Sequence, residues 1–465
     1  MSIDYVRPEA RIHLALFQPF SPNYDWSRTD RLEDYYDFDK YAELVQGAER
    51  GLFSTVFLGE SLRLREHLGK LNDIAITGRP DALVLYAYLA AKTTNIGLVA
   101  TLNTTYSDPV DLARRLATVD VLTSGRAGWN IVTTDNAWTG ENFRRGGFLP
   151  NSERYIHAVD YVAAVQDLWD GFPTESIASS RSAAAWSSEP WQVRREGKFS
   201  SIDATPQVPG SPQGQPVYFQ AGDSAEGRDF AARRAEGIFT HHIEFDDAVA
   251  FTADIRRRAR SYGRPGDDVK IFPGANLVVA RTDAEAIEKA AYYKEFALNN
   301  RAVLQAIESV WGTDLSALDL DGPLPSFDPV ASRQSHTHGI VHTGHEPTVK
   351  SRQWRALAEE RNYSVRQLVH HLSERRGFVG SASTVADQLA HYVRSDAFDG
   401  LNVTPHAFPD GLTDVVDLLV PELQERGVYP SEYPGSTLRE NLGLPETVAH
   451  RVPGLPQAEL EEAAS

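Results

Sequence analysis

Between residues 11 and 299 short β-branched or aromatic runs alternate with stretches whose apolar residues recur every three or four positions. These are the signatures of strand and helix, and their regular alternation signals βαβ units around a parallel sheet. Strand one is expected from Ile12 to Gln18; Tyr41, Leu44, Val45 and Ala48 mark a helix stopped by Gly51, and strand two follows from Thr55 to Leu58. The pattern then predicts helix Ala82 to Ala91 and strand Ile96 to Thr101, then helix Pro109 to Leu122 and strand Gly128 to Val132. Helix Tyr155 to Trp169 precedes strand Val217 to Gln220, helix Ala225 to Ala235 precedes strand Ile238 to Thr240, and helix Asp247 to Tyr262 precedes strand Val269 to Val279. Helix Ala284 to Leu298, a long irregular stretch, helix Val385 to Val393, strand Leu401 to Thr404 and helix Leu412 to Glu425 complete eight units. Eight units in one chain favour an α/β fold of the closed (β/α)8 TIM-barrel kind over an open doubly wound sheet.

Residues 1–427 are therefore expected to form one barrel domain with insertions at about 135–153, 171–215 and 300–360. Residues 428–465, with Pro430, Pro434, Pro445 and Pro453, read as an extended C-terminal arm. Long stretches without periodicity inside a compact fold are usually lids or binding loops, and barrel loops that follow strands lie at the catalytic face. Trp138, Phe143, Phe148, Trp186 and Trp191 in these insertions offer aromatic surface to close an apolar pocket.

Charge and composition narrow the chemistry. A formal net charge of -18 argues against a nucleic-acid partner, which requires a basic stripe to displace counterions. With no cysteine, disulfides, thiolate metal sites and a cysteine nucleophile are excluded. No window approaches the roughly 20 apolar residues of a membrane helix, and Met1-Ser2-Ile3-Asp4-Tyr5 lacks the basic start of a secretion signal. A cytoplasmic protein is expected.

Neither a Gly-x-Gly-x-x-Gly after a strand nor a Walker-type loop occurs, so a nucleotide needs another cradle. The candidate is Val217-Tyr218-Phe219-Gln220-Ala221-Gly222-Asp223-Ser224-Ala225-Glu226-Gly227, a strand running into Gly and Ser at a helix start. Free backbone N–H groups and the helix dipole favour a phosphate there, Gly222 permits close approach, and Ser224 can donate. On residue type alone Ser224 reads first as a simple N-cap, and Asp223 counts against an anion.

This segment, with Asn95-Ile96-Gly97-Leu98-Val99-Ala100-Thr101, the string Ser124-Gly125-Arg126-Ala127-Gly128-Trp129-Asn130-Ile131-Val132-Thr133, and Glu153-Arg154-Tyr155, resembles one family over nearly the whole chain. The family is the bacterial luciferase-like flavin monooxygenases, in the branch of nitrilotriacetate monooxygenase component A, dibenzothiophene-sulfone monooxygenase and pristinamycin synthase. The resemblance implies a barrel that uses reduced FMN, delivered by a partner NAD(P)H:flavin reductase, and O2 to oxidise a small organic substrate, in a homodimer or homotetramer. It implies cofactor contacts from Thr101, from Tyr155 and from Gly222, Asp223 and Ser224 at the phosphate. Glu60 stands where the family usually has aspartate, and Asn151 where it usually has histidine. The histidine that precedes a Trp-Arg pair in relatives is missing from Ser21-Pro22-Asn23-Tyr24-Asp25-Trp26-Ser27-Arg28, so the catalytic acid or base stays unassigned.

Asn130 at a strand end can meet a flavin ring edge or stitch the barrel mouth. Phe17, Trp26 and His241 are candidate pocket residues; the His241-His242 pair ends strand six and can line the pocket or pack structurally. His336, His338, His342 and His345 can ligate a metal or belong to a lid, and a lid is the expectation because no carboxylate interleaves. The alternative to an oxygenase is a luciferase-like protein that binds flavin or deazaflavin without oxygen insertion.

Overall fold

The computed structural model describes residues 7, 9–17, 36–59, 62–72, 80–134, 137–143, 151–172, 192–330, 347–373 and 376–445. Eight parallel strands close into a barrel: β1 (His13–Phe17), β2 (Thr55–Leu58), β3 (Gly97–Asn103), β4 (Ala127–Val132), β5 (Val217–Gln220), β6 (Gly237–Thr240), β7 (Lys270–Ala280) and β8 (Gly400–Pro405). Each strand pairs with its sequence neighbours, and β8 returns to β1. The surrounding helices are α1 (Phe38–Arg50), α2 (Ala82–Ala90), α3 (Pro109–Leu122), α4 (Asn151–Asp170), α5 (Ala225–Arg234), α6 (Phe245–Ser261) and α7 (Asp283–Ala297). Strands are apolar on both faces because one meets these helices and the other the barrel interior.

The expected alternation holds, with three differences. First, α4 begins a turn earlier than Tyr155, at Asn151. Second, the stretch expected to be irregular contains α8 (Asn300–Trp311), α9 (Pro347–Arg361) and α10 (Val365–Leu372). Val303, Ile307, Val310, Trp311, Leu315, Val365 and Val369 form its own small core. The Asn299 side chain caps α8 by accepting from Arg301 and Ala302 N–H, and Gly312 ends it at φ 67°, the left-handed conformation glycine adopts without strain. Third, β7 is long enough to pair at its far end with an additional short strand, Gly377–Ser381. That strand leads into α11 (Ala382–Arg394), and α12 follows β8 as Asp410–Asp414 and Val420–Glu425 joined by a π-turn.

The C-terminal stretch runs without helix or strand from Gly427 to α13 (Leu438–Asn441), where it plugs the N-terminal end of the barrel. Leu438, Leu442 and Leu444 are buried against Val99, Val217, Phe219 and Phe272 inside the strands. Gly97 and Gly128 make room: a Cβ on either would lie 2.5 or 3.3 Å from the Leu438 methyls. A buried ion pair between Arg439 and Glu236 and the bond from Leu438 N–H to the Gly125 carbonyl, 2.9 Å, fix the plug.

Candidate functional site at the barrel mouth

The register places the inward side chains in layers. Followed from Asn130 through β3, β2 and β1, the ladders lead to the level of His406 on β8. Followed through β5, β6 and β7, they lead to Phe398, eight residues earlier. Asn402 lies midway, so Asn130 and Asn402 face each other at one height from opposite strands, as the stagger of an eight-stranded barrel requires. Phe57 and Phe239 complete this layer, and their rings meet at 4.4 Å. Phe17, expected in the pocket, packs on Phe57 from above at 5.5 Å.

The layer is apolar across one diameter and polar across the other. Asn130 donates to the Thr101 hydroxyl at 3.0 Å, which joins two predicted site residues. The Asn130 and Asn402 carbonyl oxygens are nevertheless buried without a partner. Orphaned acceptors of this kind are uncommon in folded proteins, and a bound ligand or an ordered water is one way to complete their bonding.

Beside them, the turn after β5 forms the predicted cradle. The Ser224 hydroxyl caps α5 by accepting from Gly227 N–H at 3.1 Å, so its capping role is real. The Glu226 carboxyl is held below its ordinary range, first by its own backbone N–H and then by the Ser224 hydroxyl. The helix start therefore already stabilises an anionic oxygen, and Glu226 would have to turn aside for a phosphate to take its place. Tyr155 reaches the same spot: a Cβ on Gly222 would lie 2.9 Å, and one on Gly227 2.8 Å, from its hydroxyl. The Tyr155 hydroxyl, Gly222, Gly227 and Ser224 thus converge on one spot at the start of α5, a donor set of the kind a phosphate-bearing cofactor needs.

The Asp223 carboxylate is paired within the chain. It accepts from Arg228 at 2.8 Å and faces His242 at 3.0 Å. Burial raises its pKa, but the bonds from His242 and Arg228 outweigh that and hold the group below the usual carboxylate range. The opposition between Asp223 and an anion is thereby relieved, because Arg228 neutralises it. His241 lies 3.6 Å from Asp223 and is mostly exposed, at the rim rather than the floor of the mouth.

Asp223, His241 and His242 could converge on a metal, their ligand atoms lying within 4.8 Å of one another. The geometry disfavours it: the imidazoles stack at 4.4 Å and 27°, so their lone pairs lie in nearly parallel planes. Arg228 also sits 3.2 Å from His242 Nε2, already supplying the cation. Asn151 opens α4. Glu60, Trp26 and the cluster from His336 to His345 lie outside the described residues.

Sequence reasoning missed Phe57, Phe239 and Asn402. Phe143, expected as aromatic surface over the pocket, stacks beside the mouth at 4.8 Å on Tyr106, a partner sequence reasoning missed. On the same side of the rim, where Arg63 of the hairpin after β2 meets Glu141, that hairpin is tied to α8 by His67 and Glu308 at 2.7 Å, which places the inserted helices at the C-terminal face. Among the described residues no helix is long and apolar enough to cross a membrane.

Comparison with known proteins agrees with this architecture. A family model described as luciferase-like monooxygenase matches residues 20–397. Nitrilotriacetate monooxygenase component A of Aminobacter aminovorans is 34% identical over 88% of this chain and 90% of its own length. N-acetyl-S-(2-succino)cysteine monooxygenase of Bacillus subtilis is 35% identical over 91% of this chain and 94% of its own. The solved structure of EDTA monooxygenase from Chelativorans sp. BNC1 superposes with a TM-score of 0.74 at 28% identity, covering 94% of this chain and 99% of that one.

Proposed function

The chain belongs to the luciferase-like monooxygenase family and is a flavin-dependent monooxygenase; from that premise we propose that it is the oxygenase component of a two-component system. It takes FMN already reduced by a partner NAD(P)H:flavin reductase and places one oxygen atom of O2 on a small organic substrate. The observation that carries this reading is the convergence of the Tyr155 hydroxyl, Gly222 and Ser224 at the start of α5. Bound there, reduced flavin supplies the electrons that activate dioxygen.

The chain's own residues bind, orient and dry the site. Tyr155 and Ser224 hold the phosphate by hydrogen bonds to an anion, which are stronger than neutral ones. Thr101 and Asn130 offer a hydroxyl and an unpaired carbonyl to the ring edge. Phe17, Phe57 and Phe239 form a floor that excludes water from below, with the α13 plug sealing the other end. Because the cofactor arrives reduced and leaves oxidised, a cradle with no dinucleotide fingerprint suffices. The same reading places the protein in the cytoplasm, with its reductase.

The exposed face of α2 supports self-association, a homodimer in the simplest case. Its sequence, Ala82-Leu83-Val84-Leu85-Tyr86-Ala87-Tyr88-Leu89-Ala90, carries no charge, yet Val84 is 68% exposed. A helix apolar all round is normally covered on every side. Exposed Leu122 of neighbouring α3, with mixed charges at Asp81, Arg115 and Asp111, suits a self-complementary contact.

The test is to reduce FMN with a flavin reductase and NADH, admit isotopically labelled dioxygen and follow flavin reoxidation with and without the protein. The reading expects protein-dependent reoxidation kinetics and label in an organic product once a substrate is present. Identical reoxidation with and without protein would sink it.

A further inference from the structure

Asn402 carries an amide that the protein leaves uncommitted. On β8, Leu401 and Val403 face the helices while Asn402 and Thr404 face the interior. Asn402 is only 7% exposed, its carbonyl oxygen is buried without a partner, and its side-chain nitrogen donates to no described residue. Asn130 differs in that Thr101 occupies its nitrogen. A hydrocarbon side chain at 402 would complete the apolar layer with Phe57 and Phe239, so structure alone gives no reason for an amide there.

The wall beside it opens at Gly274, which is exposed. The ladder neighbours of Asn402 are Ala15 on β1 and Gly274 on β7, both small. A Cβ on Gly274 would meet only the Thr240 carbonyl, at 3.8 Å. Thr101, Asn130 and the Gly222 turn lie on β3, β4 and after β5, the opposite arc of the barrel. A flavin held on that arc leaves the β8 side, above the Phe57 and Phe239 rings, for the molecule to be oxidised.

Resting on the flavin reading, we propose that Asn402 is the polar anchor of the substrate, and that the substrate is a flat apolar molecule bearing an N–H beside a C=O: a lactam, imide or secondary amide. The Asn402 carboxamide presents an acceptor and a donor side by side, and a lactam edge pairs with both. A molecule with a carbonyl alone leaves the buried Asn402 oxygen unpaired. A site built to bond a group rejects the analogue that lacks it far more strongly than it resolves small differences in size.

The experiment uses the full-length protein with reduced FMN in the absence of oxygen and follows ligand binding by calorimetry. The probes are carbostyril, a bicyclic lactam, and N-methylcarbostyril, which keeps the carbonyl and loses the N–H. The unmodified protein should bind carbostyril at least about tenfold more tightly. In Asn402→Leu that preference should disappear while FMN affinity stays within about twofold. Equal affinity for the two probes, binding of neither, or a preference that survives Asn402→Leu overturns the proposal. The comparison in unmodified protein needs no variant to fold. Absent FMN binding overturns the flavin reading and this proposal with it, whereas FMN binding without lactam discrimination overturns this proposal alone.

Discussion

Replacing Gly222 by alanine probes the cradle with one methyl group. The new Cβ would lie 2.5 Å from Gln220 Nε2, 2.9 Å from the Tyr155 hydroxyl and 3.0 Å from the Gly227 Cα. The two side-chain ends can swing away, but Gly227 belongs to the first turn of α5 and cannot move without loosening its Ser224 cap. Tyr155 therefore yields, and with it goes one hydrogen bond to a charged phosphate, worth about 1.5–3 kcal/mol, or roughly tenfold to a hundredfold in affinity. Quenching of flavin fluorescence measures the dissociation constant, and riboflavin, identical but for the phosphate, supplies the control. FMN should weaken by that factor and riboflavin by less than about twofold. Equal weakening of both flavins would show that Gly222 borders the ring rather than the phosphate, and no weakening of either would remove Tyr155 from the cradle.

Other perturbations test other parts of the molecule. Ser224→Asp places a fixed negative charge where the phosphate sits and should weaken FMN by at least about tenfold in the same titration. Leu438→Ala leaves a void under Gly97 and Gly128 and should lower unfolding stability by about 2–5 kcal/mol in urea, with FMN affinity per folded molecule preserved. Burial, and then Lys270, push the His13 pKa down to about 4, so the folded state holds this ring neutral. The unfolded chain takes up that proton at higher pH, so stability is lost as pH falls from about 6.5 toward about 4; His13→Gln should flatten urea midpoints across that window, and an unchanged slope would refute it. Val84→Glu should shift sedimentation toward the monomer.

How much of this was legible in the sequence depended on the range over which each feature is encoded. The turn from Gln220 to Ser224 is local, and its cap and close approach followed from residue type alone. The partnership of Tyr155 with Gly222 spans distant positions and came through family resemblance rather than spacing. Helix α8 was written in the apolar spacing of Val303, Ile307, Val310 and Trp311, but the Gly322-Pro323 turn and the histidine-rich stretch beyond it made the segment read as loop. The plug was hidden for a related reason, since prolines signal an extended chain without saying where it docks, and only the absence of side chains at Gly97 and Gly128 makes room for Leu438. The layer of Asn130, Phe57, Asn402 and Phe239 was out of reach altogether. Its members become neighbours only when eight strands close with a stagger of eight residues, and no local window contains that number. Yet β8 did carry a clue: Leu401-Asn402-Val403-Thr404 alternates apolar with polar in a strand buried on both faces, where the apolar choice would be cheaper at every position. Polar residues at the inward phase of a barrel strand are thus a readable sign of a ligand, once closure says which phase is inward.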